Sequence, residues 1–443
     1  MLDTVYISNF KSYSNAFLRL SSLTLLVGAN AAGKTNCIEA LRFLSRLAHG
    51  QRIDDILDDV RQNDLSIRGQ AADMVYDRNA SPAFPSVYFS ILLTPPAIWR
   101  DWSTSIELHP NPEGSQIVSD YMRKDWEKES SILYEVKVND ETHRHEVEVE
   151  YDDFTGTTPR PTIACSNRQA VFTQLDIPSR FSGEKAQQVI PEAVTAVQLA
   201  LRNIMFLDLN PKAMVGYSFI IDKTLRPDGS NLSSVLYDIC VTQGRKQEVL
   251  NFIGELPEQA IADVVFLEGP RQEVMVQLVE TFGQQEVRRE APLLSDGTLR
   301  VLAIAAALLS APTGGLVVVE EIDNGVHPNR AKQLLHDILT ASKANSLRVL
   351  LTSHNPALLD ALPRESVPNV VCCYRDPEQG DSRLIRLSEL TDYPELVASG
   401  PLGQLMTQGL LDRYLKNQRT PEQKTEQAQE WLRQLQFNDE DDQ

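Results

Sequence analysis

The chain has 443 residues, with 42 Lys+Arg against 61 Asp+Glu, a net charge of −19. That excess of carboxylates excludes a broad basic surface and the strong non-specific nucleic-acid affinity that goes with one, because neutralising phosphates takes clustered Lys and Arg. A hydrophobic content of 42% supports a sizeable core. The longest apolar run, around Val301–Leu309, is about half the ~20 residues of a membrane span. The opening MLDTVYISNFKS lacks the basic-then-apolar pattern of a secretory leader, so a cytoplasmic protein without membrane contact is expected. Cys37, Cys165, Cys240, Cys372 and Cys373 form no CxxC pair and are expected to be reduced thiols.

In chain order, Thr4–Phe10 and Phe17–Leu20 read as strands, and Leu23–Val27 as a buried parallel strand. A glycine-bearing loop and a helix over Asn36–Leu47 follow. From 51 to 289 the pattern changes. Ser86–Leu93, Tyr134–Val138 and His145–Tyr151 read as antiparallel strands, Pro191–Met205 as a helix with proline in its first turn, and Ser233–Leu256 as helical with a break at Gly244. This stretch is expected to hold the remaining core strands and an inserted lid. Beyond it the α/β pattern returns: helix Gly297–Leu309, strand Leu316–Val319, helix Asn329–Ser342, strand Arg348–Thr352, then Val370–Tyr374 and Ser382–Leu387 as edge strands. Residues 421–443 read as an acidic surface helix and tip. Neither an internal repeat nor a long heptad run is present. The expected division is a core of 1–50 with 290–420, an insertion of 51–289 and the tail.

Gly28-Ala29-Asn30-Ala31-Ala32-Gly33-Lys34-Thr35 fits G-x-x-x-x-G-K-[ST] without deviation, between a strand and a helix. Glycines let backbone N–H groups turn inward around phosphates, and the helix start adds its positive end. Gly28, Asn30, Ala31, Gly33, Lys34, Thr35 and Asn36 are therefore the expected ATP-binding residues, with Lys34 on the β/γ-phosphates and Thr35 on Mg²⁺. Glu320 and Glu321 end an apolar strand, where open parallel sheets bind ligands. One would hold Mg²⁺ and the other polarise the attacking water. Glu320 for the metal and Glu321 for the water is the better alignment, although so close a pair could exchange roles. Ser295 and Gly297 open a helix in LSDGTLR, where a simple helix cap competes with an anion site. His354 follows the apolar strand ending in TSHNP. His143 and His145 share a strand face and read as solvated.

Phosphate loop, LSDGTLR, VVVEE and TSHNP in that order resemble the ABC-type ATPase heads of the structural-maintenance-of-chromosomes, RecF and OLD groups. Glu320–Pro328 (EEIDNGVHP), with PDGSNLSSVL at 227–236 and GPLGQLMTQGLL at 400–411, is similar to the stand-alone predicted ATPases of anti-phage defence modules. The resemblance implies an α/β fold: an ABC-type P-loop head with a large mixed α+β lid insertion and no long coiled coil. It implies that Ser295 and Gly297 act in trans on ATP held by a second copy, giving a homodimer around two ATP. His354 would be the switch histidine near the γ-phosphate, and Asp323 would lie near the seam. Glu320 stands where many relatives carry Asp, and Asp296 where the signature usually has Gly. Both departures suit a slow, switch-like ATPase. Gln70 is a candidate for the glutamine that couples nucleotide to the lid, and Arg68 for a phosphate-sensing arginine, against a plain surface turn for both.

Two functions share this chemistry. In the first, a nucleotide-dependent sensor or scaffold, dimeric or in a higher oligomer, controls a separately encoded nuclease-like effector in anti-phage defence. In the second, a RecF-like ATPase acts on DNA in repair or recombination, which needs a basic stripe. Only Arg226, Arg245-Lys246 and Arg288-Arg289 offer the beginnings of one.

Overall fold

The computed structural model describes residues 1–58, 67–76, 86–94, 102–110, 114–126, 129–137, 145–156, 158–254, 260–282, 285–324 and 328–416. The readings made for His143 and for the 421–443 tail lie outside them.

Six strands form the central sheet in the spatial order Ile204–Leu207, Leu316–Val319, Arg348–Ser353, Thr24–Val27, Val371–Arg375 and Ser382–Arg386. The first five pair in parallel, and the last closes the edge antiparallel. Their near-continuous apolar sequences follow from burial on both faces. Leu26, Leu316, Val318 and Leu350 enter one core with the helices Lys34–Ala48 and Glu184–Arg202. Alternate residues Leu25, Val317, Val319 and Leu351 enter the other, with the helices Asp296–Ser310 and Pro328–Ala344. Each such side chain stabilises the fold by about 1.5–3 kcal/mol relative to exposure.

Over the first core lies an eight-stranded antiparallel sheet ordered Tyr13–Arg19, Leu2–Phe10, Val87–Leu93, Trp102–His109, Gln116–Trp126, Glu129–Lys137, Glu146–Tyr151 and Thr162–Ser166. A smaller sheet of Ser218–Phe219, Glu273–Phe282, Ala260–Gly269 and Gln285–Glu290 borders the second core.

Two expectations need correction. The helix expected to open at Pro191 spans Glu184–Arg202, so the proline is internal, and Met205 belongs to a core strand instead. Ala186, Ile190, Val194, Val197 and Leu201 form one buried face across the proline, and that packing outweighs the missing N–H donor. Val371–Arg375 is not an edge strand, since it lies between Thr24–Val27 and Ser382–Arg386. Its Val-Cys-Cys sequence is buried on both faces, as an interior position requires. The helical reading of Ser233–Leu256 with a break at Gly244 holds as far as the described residues reach: a helix over Leu232–Tyr237 passes into a π turn, Asp238–Thr242. A second helix, Lys246–Ile253, begins past Gly244 at φ +69°. Val235, Ile239, Val249 and Ile253 join the second core beside Leu302.

Candidate nucleotide site

The Thr24–Val27 strand delivers the phosphate loop, and Lys34–Ala48 carries it away. Ala31 (φ +63°) and Gly33 (φ +123°) both adopt the left-handed region, which only glycine visits freely. The loop is held from outside: Tyr13 OH donates to Gly33 O at 2.9 Å, Ser382 Oγ to Ala32 O at 2.6 Å and Arg375 Nε to Ala31 O at 3.3 Å. A Cβ on Gly28 would stand 2.2 Å from the Cys373 carbonyl oxygen, and one on Gly33 would stand 2.4 Å from Ser382 Oγ. Both glycines are needed for this close packing. The N–H groups of the helix's first turn have no helical acceptor, which suits them to an anion.

In front of the loop lies a cavity of about 390 Å³. Asn30, Ala31, Gly33, Lys34, Thr35 and Asn36 line it from the loop. Glu320, Glu321, Thr352, Ser353 and His354 line it from the ends of two neighbouring parallel strands, and Arg68 and Arg375 line it as well. The strand register Val319↔Leu351 places the carboxylates beside the Thr352–His354 segment. Glu321 has φ +48°, a conformation costly for a side chain with a Cβ. It is pinned there by Glu321 N donating to Thr352 Oγ1 at 3.0 Å and Ile322 N to Thr352 O at 3.1 Å.

Charge is concentrated here. Glu320 is ion-paired with Arg42. Burial raises the Glu320 carboxyl above its usual range, Arg42 pulls it down, and Asp208 and Glu321 push it up again. Burial lowers the Lys34 ammonium, against Cys373, Glu321 and Asp323. Lys34 Nζ turns back onto Gly28 O (2.6 Å) and Ala29 O (3.1 Å), two carbonyls a phosphate could replace. Asp323 Oδ1 is buried without a hydrogen-bond partner among the described residues. The hydroxyl of Thr35 and the carboxylate of Glu320 are hard oxygen donors of the kind Mg²⁺ takes.

Other expected residues lie apart from this cavity. Gly28 sits against Cys373 and does not line it. Ser295 and Gly297 are also outside its lining: Ser295 caps the Asp296–Ser310 helix, accepting from Thr298 N at 3.1 Å. Gln70 forms a capping box with Asp73 at the short Ala71–Met74 helix and does not line the cavity. Arg68, in contrast, lines it, with Nε donating to the buried Glu39 at 2.8 Å. Sequence reasoning missed Arg42 and Arg375. Arg42 lies seven residues after Thr35, close to the same helical face, a spacing that could have flagged it. Arg375 carries no local signal.

A strand, phosphate loop and helix facing acidic strand ends in a parallel sheet define a P-loop nucleotide hydrolase. Residues 1–169 match a family model described as "AAA ATPase domain", and residues 197–360 one described as "AAA domain, putative AbiEii toxin, Type IV TA system". The chain is an ATPase with AAA-type domains over these two stretches. No curated protein matches it. Among solved structures, it is similar to an Smc head bound to the C-winged helix domain of ScpA (11% identity, 87% of this chain and 97% of that one, TM-score 0.46). It is similar also to the SMC head domain from Thermotoga maritima (13%, 87% and 98%, TM-score 0.42). A third is an Smc head with an extended coiled coil bound to the C-terminal domain of ScpA derived from Pyrococcus furiosus (11%, 90% and 99%, TM-score 0.44). No helix among the described residues is long and apolar enough to cross a membrane.

Proposed function

We propose that the chain is a slow, switch-like ATPase that closes as a homodimer around two ATP and controls a separate, nuclease-like effector in a bacterial anti-phage defence module. The observation that carries the ATP chemistry is the convergence of Lys34, Thr35, Glu320, Glu321 and His354 on one cavity from three separated segments. In this reading Lys34 leaves the Gly28 and Ala29 carbonyls for the β/γ-phosphates. Thr35 and Glu320 hold Mg²⁺, which when bound draws charge off the phosphate oxygens. Glu321, fixed by Thr352, orients the attacking water, and His354 faces the γ-phosphate. Ser295 and Gly297 serve the ATP of the second copy, in keeping with their position outside this copy's cavity. The core of 1–50 with 290–420, the 51–289 insertion and the tail are retained as functional divisions. The defence setting draws on the AbiEii description of the matched model.

The DNA-repair alternative is weakened by the surface. Arg226 pairs with Asp222, Arg245 with Glu248, Lys246 with Asp263 and Arg289 with the buried Glu280. Cations already neutralised by the protein release fewer counterions on meeting DNA.

The test is the mass of Glu321→Gln by light scattering, with and without Mg²⁺·ATP. ATP-dependent doubling is expected, and no doubling in Lys34→Ala. A mass indifferent to ATP would overturn the dimer switch. Glu321→Gln hydrolysing ATP at the wild-type rate would overturn the catalytic assignment.

A further inference from the structure

Arg375 ends the strand that pairs in parallel with Thr24–Val27, in the register Cys372↔Val27. Its side chain therefore leaves the sheet beside the phosphate loop. Two carbonyls fix the guanidinium: Nε donates to Ala31 O at 3.3 Å and Nη1 to Gly380 O at 2.6 Å. Arginine has five N–H donors, and among the described residues Nη2 has no hydrogen-bond partner. A cationic fork is thus held at the loop with donors to spare.

Arg375 also borders a second cavity. About 510 Å³ in volume, it is lined by Lys11, Ser12, Val75, Tyr76 and the carboxylates Glu39 and Asp73, Glu39 being paired with Lys11 and Arg68, and it shares Asn36, Arg68 and Arg375 with the first. Glu320, Glu321 and His354 lie only in the first. A nucleotide with its terminal phosphate toward those groups and its other end in the second cavity would cross the boundary formed by Asn36, Arg68 and Arg375. We propose that Arg375 binds the phosphate chain at this passage, on the side remote from the γ-phosphate, as a second cationic anchor beside Lys34. The proposal rests on the ATP-binding reading of the first cavity. A guanidinium fork matches phosphate oxygens two at a time, and its fixing by two carbonyls reduces the entropy lost on binding. An alternative role, tethering Ala31 to the hairpin at Gly380, would use the same two carbonyl bonds and no ligand.

The test is titration of ATP and ADP into wild type, Arg375→Gln, Arg375→Lys and Lys34→Ala, with thermal unfolding of each protein without nucleotide. Loss of one charged contact should weaken ATP and ADP alike, about tenfold in Arg375→Gln, with the nucleotide-free melting temperature unchanged and part of the affinity restored in Arg375→Lys. Wild-type affinity in Arg375→Gln for both nucleotides would overturn the proposal. So would a weakening that comes with a lowered nucleotide-free melting temperature and no recovery in Arg375→Lys, the signature of a tether. A loss confined to ATP would also overturn it, because the contact would then be to the γ-phosphate. Failure of the wild type itself to bind ATP, or unaltered binding in Lys34→Ala, would show instead that the first cavity was misread.

Discussion

Arg42 donates through Nη2 to Oε1 of Glu320, joining the third turn of the phosphate-loop helix to the carboxylate end of the Leu316–Val319 strand. Arg42 is only 7% exposed, and its guanidinium lies 5.6 Å from the centre of the Phe206 ring. The residue assigned to Mg²⁺ therefore already has a cationic partner from the protein. Glutamate in place of the shorter aspartate fits this geometry, since the longer arm can serve Arg42 and the cavity together. A carboxylate shared in this way would hold a metal less tightly than a free one, which is what the proposed slow turnover requires.

Arg42→Met should destabilise the protein by about 1–3 kcal/mol at neutral pH, because a partly buried carboxylate loses its charged partner. Denaturant unfolding would measure it. The double variant Arg42→Met/Glu320→Leu should recover most of that loss, as apolar replacements of buried pairs commonly do. If the double variant is destabilised by the sum of the single effects, the two side chains are not coupled and the pair is incidental.

Gly28→Ala should cost both stability and nucleotide binding. The new methyl would meet a backbone oxygen 2.2 Å away, and neither partner can rotate aside, so the loop or the Val371–Arg375 strand must move. A useful comparison is Gly50→Ala, at φ +75° with nothing within 4 Å of the added carbon. Only the left-handed penalty of about 1–2 kcal/mol applies there. ATP titration should show at least a tenfold loss in Gly28→Ala and none in Gly50→Ala; equal affinities would mean that the loop relaxes freely around position 28.

The contrast between these residues explains what could be read in advance. Leu25–Val27 and Val317–Val319 are short runs whose composition alone demands burial on both faces, and the phosphate loop is contiguous. Strand, loop and carboxylates were therefore legible without a structure. Arg375 reaches the loop only because its strand pairs beside Leu26 and Val27, a neighbour relation no local pattern encodes. Pro191 misled for the opposite reason. Local chemistry argued for a helix start, while a buried face running from Ala186 to Leu201 carried the helix through it. Among the strands of the outer sheet, Gln116–Trp126 mixes charged and apolar residues without a clean alternation, so its existence depends on partners distant in sequence.

A buried carboxylate outside the lining of the candidate nucleotide cavity sets the last expectation. Asp120, fully buried in the outer sheet, accepts from Tyr134 OH at 2.8 Å and from Val171 N at 2.8 Å. Burial nonetheless lifts its carboxyl from 3.8 to about 7, against the hydrogen bonds from Tyr134 and the Val171 and Phe172 backbone that favour the anion. Between those values the native state holds a proton that the unfolded chain has released, so stability falls as pH rises. The contribution is complete below about pH 4 and lost above about pH 7, a span of up to roughly 4 kcal/mol. Many other carboxylates titrate in the acid part of this range, so the informative quantity is a difference. Asp120→Asn removes the titration and can keep both contacts, with its amide oxygen toward Val171 N–H and its NH₂ donating to the Tyr134 hydroxyl. The unfolding free energy of wild type minus that of Asp120→Asn should decline steadily from pH 5 to pH 7.5. A difference that stays flat across that interval would show that Asp120 is charged throughout and that its hydrogen bonds outweigh its burial.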